Sequence, residues 1–135
     1  MNNTYTKMDT KERLNDALNK AEDAAHKGSV RLMESFLSGA EGYAKSLGKD
    51  IHEKEAHIII MGYSIAIPII FGKAETFGSK NAPGLRYMCL GRIERYIGVI
   101  EAYVNSSNPD QILQQYAGMD RPQIREKIAD MRKAA

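Results

Sequence analysis

Between His57 and Phe71 the chain places seven isoleucines and almost no polar side chain. Any fold it adopts must hide that run from water. The run reads either as a central helix, buried all round, or as two short strands around Gly62 and Tyr63. Its β-branched content argues for strands. However, Met61-Gly62-Tyr63 lacks hairpin turn chemistry, Pro68 would sit inside the second strand, and no other segment could complete a sheet. A helix is therefore expected, kinked at Pro68, whose ring removes one backbone donor and crowds the carbonyl of Ser64. The Ser64 hydroxyl is placed to help satisfy the disturbed backbone. The apolar stretch from Ile58 to Phe71 is shorter than the ~20 residues of a membrane span, so it reads as core and no membrane partner is expected.

The remaining segments supply helices to cover that core. Residues 1–8 lack periodicity and read as a disordered tail, with the folded domain spanning 9–135 and starting near a cap at Asp9 or Thr10. Leu14, Leu18, Ala21 and Ala25 form one apolar face, and Val30, Met33, Leu37, Ala40, Ala44 and Leu47 continue in a heptad rhythm to a cap at Gly48. Two antiparallel helices turning at Gly28 and one helix across 9–47 both fit. No Pro or Asn-Gly accompanies Gly28, and Ser29 has no full capping box, which favours continuity. Asp50 is the expected cap of the Ile-rich helix, and residues 78–84 are the expected loop after it. A fourth helix runs from Leu85 to Val104 with Cys89, Ile93, Ile97, Ile100 and Val104 inward. Asn108-Pro109 opens a short helix to Tyr116, Gly118 stops it, and Asp120 caps the last. The fold class is all-α: a single-domain bundle of five or six helices.

Composition narrows the chemistry. Nineteen basic and 17 acidic residues leave a net charge of +2, too little for binding to nucleic acid by bulk charge alone. The single cysteine, Cys89, can form neither an internal disulfide nor a Cys-based zinc site, and Met1 to Lys20 carries no apolar leader, so an intracellular, cytoplasmic protein is expected. His52 and His57 are five apart and diverge by ~140° around a helix, unlike the zinc-protease spacing. No P-loop, nucleophile elbow or dinucleotide fingerprint is present. No catalysis, metal or cofactor is expected.

Two features of the fourth helix carry the candidate sites. Gly84, Gly91 and Gly98 are seven apart, which returns each to nearly the same angle and makes a smooth strip for close backbone approach. The strip is expected to pack within the chain, with a dimer or partner groove as the alternative. Met33, Met88 and Met131 are expected on or near incompletely covered faces. On the same helix Arg86, Arg92 and Arg95 interleave with Tyr87, Tyr96 and Tyr103, combining guanidinium groups for phosphates with rings on which bases could stack. Arg121, Arg125 and Lys133 could extend that patch, while Glu94, Glu101, Asp120 and Glu126 could pair it off instead.

The run from Met61-Gly62 through Phe71 to Lys73-Ala74-Glu75 resembles the central helix of the small all-helical subunit of type III-B CRISPR RNA-guided effector complexes. There an apolar stretch opens on Gly and closes on a Lys-Ala-Glu-like end. The resemblance implies a nucleic-acid-binding subunit of a ribonucleoprotein. Met61 in place of the usual Asn, Pro68 and the missing C-terminal Trp depart from that pattern. The residues themselves favour a non-catalytic helical module that binds a protein or a second copy of itself as a homo-oligomer. The rivals are a nucleic-acid-binding small subunit and a small-ligand sensor with a pocket near Pro68.

Overall fold

The computed structural model describes residues 7–103 and 108–133. Most of the expected tail, and Val104 with the three residues after it, lie outside the described residues. Six α-helices form, and no strand is present among the described residues: α1 (Lys7–His26), α2 (Val30–Leu47), α3 (Glu53–Ser79), α4 (Pro83–Glu101), α5 (Pro109–Ala117) and α6 (Arg121–Lys133). A single 3-10 turn, Gly48–Asp50, links α2 to α3.

The structure corrects the continuous helix across 9–47. α1 begins at Lys7, ends at His26 and folds back as a hairpin with α2. Gly28 adopts φ +77°, its N–H donates to the Ala25 carbonyl at 3.0 Å, and the Ser29 N–H donates to the Ala24 carbonyl at 2.9 Å. This pair of bonds is a Schellman motif, which satisfies the last carbonyls of α1 through a left-handed residue. Ser29 makes no side-chain cap bond. The stop signal therefore belongs to the end of α1 rather than to a side-chain cap on α2. The turn between α3 and α4 repeats the motif with Asn81 at φ 58°, the Asn81 N–H on Gly78 at 3.1 Å and the Ala82 N–H on Phe77 at 2.8 Å. The expected 78–84 loop shrinks accordingly, because Gly78 and Ser79 complete α3 while Pro83 and Gly84 open α4.

α3 is the axis of the bundle, contacted by α1, α2, α4 and α5. Its N-cap is His52, whose N–H donates to the Glu55 carboxylate at 2.9 Å. The expected cap, Asp50, lies instead in the 3-10 turn. The helix is continuous through Pro68, with the proline on its exposed side, and the buried Ser64 hydroxyl donates to the Ile60 carbonyl at 2.7 Å. At 27 residues α3 is long and apolar enough to cross a membrane by length and composition alone. Ile60, Ala66, Ile67, Ile70 and Ala74 are wholly buried within the bundle. The helix is not buried all round, however: Ile58, Met61, Ile65 and Ile69 are half-buried, and Pro68 and Gly72 are exposed.

The close backbone approach falls elsewhere than expected. A Cβ on Gly62 would stand 2.8 Å from Leu18 Cδ2, so α1 seats a leucine on the bare backbone of α3 there. On α4 the inward side is taken by Cys89, Leu90, Ile93, Tyr96, Ile97 and Ile100. Gly84, Gly91 and Gly98 lie opposite, exposed, and a Cβ on any of them would meet nothing within 4 Å. Among the described residues, nothing packs on the glycine strip. Met33 likewise proves fully buried, whereas Met88 is exposed.

The last two helices start and stop as their residues dictate. The Asn108 carboxamide accepts the Gln111 N–H at 3.3 Å, and Gly118 closes α5 in the left-handed region at φ 72°. At α6 the Asp120 carboxylate accepts the Gln123 N–H at 2.9 Å while the Gln123 side chain accepts the Asp120 N–H at 2.8 Å, a reciprocal capping box.

Two glycine substitutions should therefore differ in sign. Gly62→Leu should overpack the α1–α3 contact and cost ~1–3 kcal/mol. Gly91→Leu should leave the isolated chain as stable or up to ~1 kcal/mol more stable, since leucine is the better helix former. Thermal melts followed by circular dichroism measure both.

Candidate functional site: the outer face of α4 and its polar borders

Among the described residues, the exposed large apolar side chains cluster on the first turns of α4. Leu85, Tyr87 and Met88 are 47%, 60% and 57% exposed, and Leu32 on α2 is the fourth. Along the helix the outward line continues through Gly91 and Gly98 to Ala102, with Arg95 the charged residue in its path. Residues of this type leave a shallow, nearly bare helix surface.

The arginines expected to face phosphates are instead spent on carboxylates. Arg92 Nη1 lies 2.9 Å from the Glu34 carboxylate, and Arg95 Nη2 donates to both Glu41 oxygens at 3.0 and 2.9 Å. Both partners come from α2, one heptad apart, rather than from the acidic residues beside the arginines in sequence. On the opposite border Arg132 donates to Glu94 at 2.6 and 3.2 Å, Arg125 donates to Glu101 at 2.9 Å, and Arg121 lies 3.4 Å from Glu101. Arg86 has no ion pair described and lies across the end of α3, where a Cβ on Gly78 would meet its side chain at 3.3 Å. Arg125 and Arg121 thus do not extend a free basic patch.

Of the three tyrosines, Tyr96 and Tyr103 are not where base stacking needs them. Tyr96 is 2% exposed, donates its hydroxyl to Glu34 at 2.9 Å, and meets Tyr63 edge-on with centroids 5.1 Å apart. Tyr63, equally buried, donates its hydroxyl to Glu41 at 2.6 Å, with the Leu37 carbonyl oxygen 3.2 Å away. Each α2 carboxylate therefore binds one arginine and one phenol, and α2 is fastened to α3 and α4 by two three-residue clasps, Glu34–Arg92–Tyr96 and Glu41–Arg95–Tyr63. Tyr103 is half-buried and lines a gap with Ala40, Glu41, Ala44, Ile59, Tyr63 and Val99. That gap is about 10 Å³, room for one water and too small for an organic ligand. Tyr87 is the exposed ring, and the Arg132 guanidinium sits 5.0 Å from its centre.

These environments set the acid–base behaviour. Burial, followed by the hydrogen bond and charge of Glu41, holds the Tyr63 hydroxyl far above the ordinary phenol range. Tyr96 is raised in the same way, by burial first and then by Glu34. Burial pushes the Cys89 thiol up, which suits a packed side chain and opposes nucleophilic use. Among the described residues, no three His, Cys, Asp or Glu side chains converge on a point where a metal could bind. Comparison with family models, with curated proteins and with solved structures returns no match for the chain.

The buried phenols make a pH expectation with a definite sign. Their folded pKa values lie above the unfolded value of about 10, so the stability they contribute is complete below pH ~10 and is lost as pH rises beyond it. Tyr63 and Tyr96 should ionise only with unfolding, read as phenolate absorbance rising together with loss of helical dichroism.

Proposed function

We propose that the chain is a non-catalytic, intracellular interaction module that docks a helix against the outer face of α4, in the first instance α4 of a second copy. The observation that carries this reading is the exposed line of Gly84, Gly91 and Gly98, where an added Cβ would meet nothing within 4 Å among the described residues. Gly91 and Gly98 each cost the helix ~1 kcal/mol relative to alanine, and no close packing among the described residues offsets it. A second helix seated on the strip would gain close backbone approach and cover Leu85 and Met88. Seven-residue spacing is the period of a helix seam, and the line is symmetric about Gly91, so an antiparallel copy would lay Gly84 against Gly98. The charges bordering it are already neutralised by Glu34, Glu41 and Arg132, so two copies meet without net repulsion.

The nucleic-acid reading has less support, because it needs free guanidinium groups and accessible rings. Arg92, Arg95, Arg121 and Arg125 are engaged with carboxylates, and Tyr96 is buried.

Light scattering tests the proposal. The chain should run as a dimer at micromolar concentration, and Gly91→Leu or Gly98→Leu should reduce it to monomers whose helical dichroism is unchanged. A wild-type chain that stays monomeric across the micromolar range, or a Gly91→Leu chain that keeps the dimer mass, overturns it.

A further inference from the structure

We propose that α6 is an ionically held strap, able to leave the bundle while α1 to α4 stay folded. This inference does not depend on what docks against α4. Of the 13 residues of α6 only Ile124 and Ile128 are buried, whereas α4 buries six of its 19. Met131 adds a half-buried apolar contact and Gln123 a hydrogen bond with Gln114, and the rest of the attachment is mostly charge. Five basic residues, Arg121, Arg125, Lys127, Arg132 and Lys133, outnumber Glu126 and Asp130 on this helix.

Four of those cations meet carboxylates supplied by three other helices. Arg121 grips Asp110 of α5 through Nε at 2.9 Å and Nη2 at 3.0 Å, and Arg121 and Arg125 share Glu101 of α4. Arg132 holds Glu94 of α4 at 2.6 Å, and Lys127 reaches Glu75 of α3 at 3.6 Å. The arginine hydrogen bonds hold the Asp110 and Glu94 carboxyls below the usual carboxylate range.

Such pairs sit at the surface, with the Arg125 and Glu94 side chains 54% and 48% exposed, so dissolved salt screens them. The strap also has something to uncover. The Lys127 ammonium lies 4.7 Å from the centre of the Phe71 ring, which is 1% exposed. A helix of this length is marginal in water by itself, so release of α6 also unwinds it.

Hydrogen exchange on the full chain reads that release directly, because unwound amides lose protection. At about 0.05 M NaCl the amides of α6 should exchange at least about tenfold faster than those of α3 and α4. Raising the salt to about 0.5 M should speed α6 by about another tenfold and leave α3 unchanged. Glu94→Gln combined with Glu101→Gln should reproduce the high-salt behaviour of α6 at low salt. Exchange of α6 in step with α4, or at a rate that neither salt nor the double substitution moves, would overturn the proposal, since Ile124 and Ile128 would then suffice to hold it.

Discussion

A 27-residue helix whose middle is a run of isoleucines cannot stand in water, and the place of each other helix follows from which side of α3 it covers. α1 takes the side where Gly62 leaves backbone bare, α4 lies along another, and α5 closes a third with Ile112 and Leu113. Proline is tolerated because it lies on the side that no helix fully covers. There the ring stands in the open rather than displacing a packed side chain, while the Ser64 carbonyl that loses its usual donor belongs to a wholly buried residue.

The second organising force is polar. α2 rests on α1 by apolar contact, but toward α3 and α4 it also presents Glu34 and Glu41, each satisfied by an arginine outside and a tyrosine inside. The phenols are buried deeply enough that losing their acceptors would leave unsatisfied hydroxyls, a cost of ~1–3 kcal/mol each. The register of α2 along α4 is thereby fixed more sharply than the small alanine-rich contacts Ala40 and Ala44 could fix it.

Much of the helix content and the inward faces were legible in the chain, since period 3.6 and the capping residues are local signals. Asn108, Gly118 and Asp120 act where their chemistry says they should. The sequence misleads where a local signal has two readings. Gly28 costs little inside a helix and is also an ideal left-handed terminator, and only the hairpin's packing selects the second role. The glycines of α4 share an angle by arithmetic, but which side they face depends on where Ile93, Ile97 and Ile100 go. The clasps were least visible, because Glu34 and Arg92 are 58 positions apart and pair only after two helices have docked. The heptad interval of Glu34 and Glu41, flanking the apolar stripe of α2, was the available hint.

The two kinds of glycine in this molecule answer to different pressures over evolutionary time. Gly62 is held by the fold itself, because any side chain there must displace Leu18. Gly91 and Gly98 are under no such obligation, so drift alone would replace them with better helix formers. Descendant sequences that keep glycine at 62 would record only that the bundle still folds. Those that keep it at 91 and 98 would record that the outer surface of α4 is still in use, and a lineage that abandoned that use would lose these glycines first.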